Sequence, residues 1–184
     1  MKLSSQEEYG LRCLLQVARH DPEGSLTIPE IARIEGLSIP HVAKLMRVLR
    51  RGGFVTSVRG QAGGYKLART PTQINIGEVL AWLGGRLFEP SFCAMHAGMA
   101  KLCTHSVDCS IRSLWQSVQH VVDLMLGKVT LSDLLGDERQ VSSWITDQTH
   151  GLRPMASRSQ TTTHSPEGKN SLSHLVISPY PSER

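Results

Sequence analysis

Cys93, Cys103 and Cys109 fall within seventeen residues, spaced C-x9-C-x5-C. Thiolates are soft donors, suited to zinc or iron–sulfur clusters over hard cations. The spacing lacks the C-x2-C pairs of zinc ribbons and does not follow the ferredoxin runs. Three thiolates leave a fourth position open. His105 lies in the same stretch, and Glu8 becomes a candidate if the first helix of a second subunit comes near. His96 is a weaker candidate. Three unliganded thiols are the plainer alternative. The fourth cysteine, Cys13, sits among apolar residues and reads as a small core side chain.

A second constellation is electrostatic. No acid occurs between Glu35 and Glu78, while Lys44, Arg47, Arg50, Arg51, Arg59, Lys66 and Arg69 lie between them. The chain has 20 bases and 16 acids, so the positive excess is local. Local positive charge marks a face for a polyanion. The residues in this window are organised as helix, turn, helix and hairpin. Thr27-Ile28-Pro29-Glu30 is a capping box, and the helix it opens turns Ile31 and Ile34 inward and ends near Gly36. Ser38 caps a second helix with Pro40 in its first turn. Val42, Leu45, Met46 and Leu49 make its buried stripe. Gly52 and Gly53 stop it. In a helix-turn-helix the second helix enters the major groove, its N-terminal residues nearest the bases. Those residues are Ser38, Pro40, His41 and Lys44, with Arg47 and Arg51 further along.

Residues 54–58 and 65–68 read as the strands of a wing. Its glycine-rich tip lets Arg59, Gly60 and Gln61 approach a sugar-phosphate backbone or a minor groove. The glycines lead into a strand, not a helix, which excludes a dinucleotide-binding fingerprint. This face predicts binding to double-stranded DNA at an imperfect palindrome, with half-sites roughly one helical turn apart.

The remaining elements position these two constellations. Residues 4–19 form a first helix with Leu11, Leu14, Leu15 and Ala18 on its apolar side and Glu7 and Glu8 in its first turn. Residues 76–83 form a short helix on the winged-helix core. An irregular cysteine loop spans 86–109. Ile111, Leu114, Trp115, Val118, Val121, Val122 and Met125 then recur at three- and four-residue steps. That helix, 110–126, has a wide apolar face that calls for a partner, and a symmetric homodimer is the economical one. Thr130 to Asp133 caps a last short helix through Leu135. The fold class is mainly α: a winged helix-turn-helix with a two-stranded β wing and a long dimerisation helix, over residues 1–136. The composition of 137–184 predicts a disordered tail, with one local contact from Trp144 and Ile145. No apolar run is long enough to span a bilayer, and the charged N-terminus leads into a helix. The expected compartment is the cytoplasm, with no membrane partner. An enzyme, such as a thiol oxidoreductase, is disfavoured, since no C-x-x-C occurs and no His–acid pair flanks a nucleophile.

The opening Met1 to Ser4, the helix-turn-helix, the run from Gly53 to Leu67, the three cysteines and Thr130 to Leu135 resemble the Rrf2 family of bacterial winged-helix regulators. The resemblance covers residues 1 to about 135, and the wing run is its most specific part. It implies a dimeric DNA-binding regulator, expected to be a repressor. It also implies an iron–sulfur cluster, 2Fe-2S or 4Fe-4S, on Cys93, Cys103 and Cys109. The family's fourth ligand is a histidine near the third cysteine or an acid supplied across the dimer, which points to His105 or Glu8 here. Glu8 is the expected choice, because His105 lies two residues after Cys103 and four before Cys109. The chain departs from the resemblance in the nine residues between its first two cysteines and in Ala43, where some relatives carry a charged residue. The signal sensed would be redox state, nitric oxide or iron–sulfur status. A regulator of the same fold using bare thiols or zinc is the alternative.

Overall fold

A computed structural model describes residues 4–21, 24–60, 63–89, 91–96, 103, 105 and 108–150. Helix α1, Ser5–His20, begins in a closed capping box. The Ser4 hydroxyl accepts from the Glu7 N–H at 3.3 Å, and the Glu7 carboxylate accepts from the Ser4 N–H at 2.8 Å. Two of the donors orphaned at a helix start are thereby satisfied. α1 buries Cys13, Leu14 and Val17, packing on the second helix of the helix-turn-helix and on the short helix after the wing.

Helix α2, Ile28–Glu35, opens with the expected box between Thr27 and Glu30. Hydrogen bonds from Thr27 hold the Glu30 carboxyl below the ordinary carboxylate range. Gly36 ends α2 at φ 65°, a left-handed conformation that favours glycine. Ile31 is fully buried, but Ile34, expected inward, is 44% exposed. The seam runs through Ile28, Ile31 and Ala32, at i, i+3 and i+4, and Ile34 falls beside it. Helix α3, Ile39–Arg51, buries the predicted stripe of Val42, Leu45, Met46 and Leu49. Ser38 starts α3 but its side chain makes no cap bond, contrary to expectation. Pro40 has no N–H, so one of the donors a cap would satisfy is missing.

Strands β1, Val55–Val58, and β2, Gly64–Leu67, pair antiparallel with Val55 opposite Leu67 and Val58 opposite Gly64. The wing is pinned at its return strand. Leu26, between α1 and α2, exchanges two backbone bonds with Tyr65 at 2.8 and 2.9 Å. A Cβ added at Gly64 would stand 2.7 Å from the Leu26 carbonyl oxygen. That oxygen is backbone and cannot swing away. Gly64→Val is therefore expected to destabilise the fold by about 1–3 kcal/mol. Lys66→Ala, exposed on the same strand, should cost less than about 0.5 kcal/mol. Thermal unfolding of the two variants checks this, and equal melting temperatures would show that the wing is not held at Leu26.

Helix α4, Ile76–Gly84, is capped by Asn75, whose Oδ1 accepts from the Glu78 N–H at 3.1 Å. The same amide donates to the carbonyls of Leu126, Gly127 and Val129 at 3.2, 2.9 and 3.2 Å. One side chain thus starts α4 and ties down the end of the long helix. The stretch from Arg86 to Asp108, expected to be irregular, contains one helical turn, α5, Phe92–Met95. Helix α6, Ser110–Leu126, has the predicted bounds. Asp133–Leu135 is a 3-10 turn in place of the short helix, closed by bonds from the Thr130 N–H and hydroxyl to the Asp133 carboxylate.

The largest departure is helix α7, Glu138–His150, where a disordered tail is predicted from residue 137. Asp137 and Gln140 cap it reciprocally, at 2.8 and 3.1 Å, and Trp144 packs on the core. Val141, Trp144 and Ile145, at i, i+3 and i+4, are a seam that bulk composition averages away. The rest of the predicted tail lies outside the described residues. Among the described residues no helix is long and apolar enough to cross a membrane.

Candidate functional site

On α3, Lys44, Arg47, Arg50 and Arg51 are exposed, and Arg59 and Lys66 are exposed on the wing. The core helices α1 and α4 hold the opposite, apolar side of α3, so its cations are left to solvent. Arg69 is committed elsewhere. It pairs with Glu78 at 3.6 Å and lies over the Phe54 ring at 5.7 Å. Ser38 and Pro40 are exposed at the start of α3. Gly60 is exposed at φ 109°, and Gln61 lies outside the described residues.

His41 does not sit where a base-reading side chain would. It is half-buried, its ring edge-on to Tyr9 of α1 at a centroid distance of 5.6 Å. Its Nε2 is buried with no hydrogen-bond partner among the described residues. His41 stands next to Val42 at the flank of the stripe, and the ring of Tyr9 supplies the surface that receives it. Tyr9 in turn lies under the Arg12 guanidinium at 5.6 Å. Arg12 and Gln16 both donate to the nearly buried Glu35 carboxylate at 2.6 Å. The hydrogen bond to Glu35 and its charge raise the Arg12 pKa above its ordinary value. These contacts fix α1, α2 and α3 against one another beneath the basic face. Ile39, which the sequence reading passed over, is 54% exposed between Ser38 and Pro40. An apolar group there can meet a thymine methyl. Its signal was an isoleucine standing off the buried stripe of its own helix.

Cys93 lies on α5, and Cys93, Cys103 and Cys109 are each half-buried and free of disulfides. Cys109 caps α6, its Sγ accepting from the Arg112 N–H at 3.3 Å. Arg112 also donates to the His105 carbonyl at 2.8 Å. Glu8 is exposed in the first turn of α1. Among the described residues no three His, Cys, Asp or Glu side chains converge on a metal position. Cys13 is buried, and burial pushes its thiol pKa up to about 12, in keeping with a core residue.

The base of the loop is clamped to α6. Gln119 is the one buried polar side chain among the described residues, and its Oε1 accepts from the Phe88 N–H at 2.9 Å. Its Nε2 donates to Asp123 at 2.8 Å, and Asp123 pairs with Arg86. Along α6, Ile111, Leu114, Trp115, Val121 and Leu124 remain exposed.

The comparisons with known proteins agree on what this architecture is. The model of the Rrf2 family, described as iron-dependent transcriptional regulators, matches residues 3–137. Protein rrf2 of Nitratidesulfovibrio vulgaris is 34% identical over 137 residues, 74% of this chain and 89% of that protein. The transcriptional regulator IscR of Aliivibrio salmonicida is 31% identical, over 77% of this chain and 83% of its own. Among solved structures, an IscR from T. potens shares 33% identity at a TM-score of 0.56, covering 73% of this chain and 86% of that one. CymR of B. subtilis, a global cysteine regulator, shares 28% identity at a TM-score of 0.55, over 73% and 96%. These relatives are regulators, not enzymes, and their winged-helix architecture is the one described here. With exposed cations on its second helix and wing, a buried stripe behind them and a family match over residues 3–137, the chain belongs to the Rrf2 family of DNA-binding transcriptional regulators.

Proposed function

We propose that the chain is a homodimeric cytoplasmic repressor that binds an imperfect DNA palindrome through α3 and the wing. We propose further that it senses redox, nitric oxide or iron–sulfur status through a cluster on Cys93, Cys103 and Cys109. The observation that carries this reading is the donor set: three free, half-buried thiols, one of which caps the helix bearing the exposed apolar face. Soft thiolates are the donors an iron–sulfur cluster requires, so the residues present fit it. When bound, such a cluster supplies a centre for electron and ligand exchange. Cys93, Cys103 and Cys109 would hold it, and the fourth place falls to Glu8, His105 or His96. The chain's own part is positional. Cys109 ends the loop and begins α6, so whatever engages its sulfur competes with the cap on the Arg112 N–H. Ser38, Ile39, Pro40 and Lys44 face base edges, while Arg47, Arg51, Arg59 and the wing tip at Gly60 and Gln61 meet the backbone.

A second reading, sensing through the thiols without iron, draws on two observations. The ligands do not converge among the described residues, and CymR, a relative in structure, is named a cysteine regulator. Purification without oxygen, with an absorbance spectrum and iron and sulfide analysis, separates the two. The expected result is a coloured protein whose chromophore is lost in Cys93→Ala, Cys103→Ala and Cys109→Ala but kept in Cys13→Ala. A colourless wild-type protein that takes up neither iron nor sulfide would leave the thiol reading.

A further inference from the structure

We propose that Ile39 reads one thymine in each operator half-site through its 5-methyl group, which packs in the space that Ala43 leaves one turn along α3. The assignment rests on the reading of α3 as the helix that enters the major groove, and it is independent of how the cysteines are used. Ile39 is the first residue of α3, and Ala43 follows it by four, so both lie on one line of the helix. Arg47 continues that line by another four residues and is exposed. The row thus runs from an apolar end to a cationic one. The buried stripe of Val42, Leu45, Met46 and Leu49 leaves Ile39 and Ala43 out. Ile39 is exposed and Ala43 half-buried.

The residues around this row narrow what the reading end of α3 can recognise. From Gly36 to Gly60 the chain has no Asp, Glu, Asn or Gln. Adenine is read by an Asn or Gln amide, and the cytosine amino group by a carboxylate. Neither kind of side chain is present on α3. His41 is turned to Tyr9 of α1. Ser38 offers a hydroxyl, which both donates and accepts and so discriminates little. Lys44 and Arg47 are donors, suited to guanine or phosphate. On the major-groove edges of the bases the apolar group is the thymine methyl, and Ile39 is the apolar side chain that stands out toward it. Ile39 is β-branched and stiff at χ1, and Pro40 fixes the backbone beside it, so little freedom is lost when a methyl seats there. The apolar end is continuous with the exposed cations of the same helix, so a duplex held by those cations meets Ile39 as well.

The test uses the full chain, purified without oxygen, and an operator selected from a random duplex pool by repeated rounds of binding. Each thymine of the half-site is then replaced by deoxyuridine, which removes the methyl and keeps every hydrogen-bonding group. Affinities are measured at low salt, where backbone contacts hold even the weakened complexes. The expected result is one position, equivalent in the two half-sites, at which loss of the methyl weakens the wild type by about fourfold per half-site. Ile39→Ala should weaken binding to the thymine operator by at least that factor and should bind the thymine and uracil operators alike. Ile39 lies outside the buried core, so this variant should keep the wild-type melting temperature. Ile39→Val keeps a branched apolar group and should retain part of the preference, and it carries the comparison if alanine lowers the melting temperature. A selected half-site without thymine, an operator indifferent to every uracil, or a thymine preference that survives Ile39→Ala each overturns the assignment. A pool that yields no common sequence overturns the operator reading and this assignment with it, and the missing consensus tells that failure from the others.

Discussion

Leu114→Glu combined with Val121→Glu is expected to turn the protein into a monomer and to cut its affinity for a two-half-site operator by about 10²-fold or more. The ground is the face of α6. Leu114 and Val121 are 57% and 48% exposed, alongside Ile111, Trp115 and Leu124. Five large apolar side chains along a 17-residue helix form a patch of the kind that marks an interaction site. Ile111, Leu114 and Trp115 stand at i, i+3 and i+4 and Val121 follows Leu114 by seven, which suits a helix–helix contact, and a two-fold contact would bring each residue in twice. Two glutamates per chain would then place four carboxylates in one interface. Removing them from water without partners is strongly unfavourable. Neither side chain belongs to the buried core, so the monomer should keep its far-UV circular dichroism and its melting temperature. Sedimentation and operator titration by fluorescence anisotropy read the two effects. A variant that remains dimeric, or a wild-type chain that sediments as a monomer at micromolar concentration, sinks the proposal that α6 is the dimer contact.

The second large effect is on salt. Arg47, Arg51 and Arg59 are exposed and carry the proposed phosphate contacts of one chain. A dimer would neutralise about six phosphates, giving a slope of log affinity against log salt of about −5. Between about 50 and 200 mM salt the affinity should fall by roughly three orders of magnitude. Arg59→Ala removes one contact per chain and should flatten the slope by about 2 units per dimer. Arg69→Ala should leave the slope unchanged, because Arg69 is paired with Glu78 and lies over Phe54. Titrations of one operator at several salt concentrations check all three. A slope shallower than about −3, or one indifferent to Arg59→Ala, would remove the wing and α3 from the proposed interface.

Much of this was legible in the residues. The box at Thr27–Glu30, the stop at Gly36 and the stripe Val42, Leu45, Met46 and Leu49 are local signals, complete within one or two helical turns. Helix α6 was read with its bounds, and the wing to within about a residue, for the same reason. The basic window and the three cysteines needed only residue types and their order. Helix α7 was missed even though its cap and seam are local, because the polar composition of the tail outweighed three apolar positions.

The tertiary structure decided what each candidate faces. His41 was placed toward the groove by its helical angle, yet the ring of Tyr9, from another helix, takes it to the inner side. Arg69 belongs by sequence to the basic window, and only the fold sets Glu78 beside it. Gly64 looked like one more wing glycine until Leu26 came within 2.7 Å of where its Cβ would be. Helical periodicity follows from bonds that each residue makes with its fourth neighbour, so it is written along the chain. The surroundings of a side chain come from partners tens of residues away, and these exist only once the helices have packed.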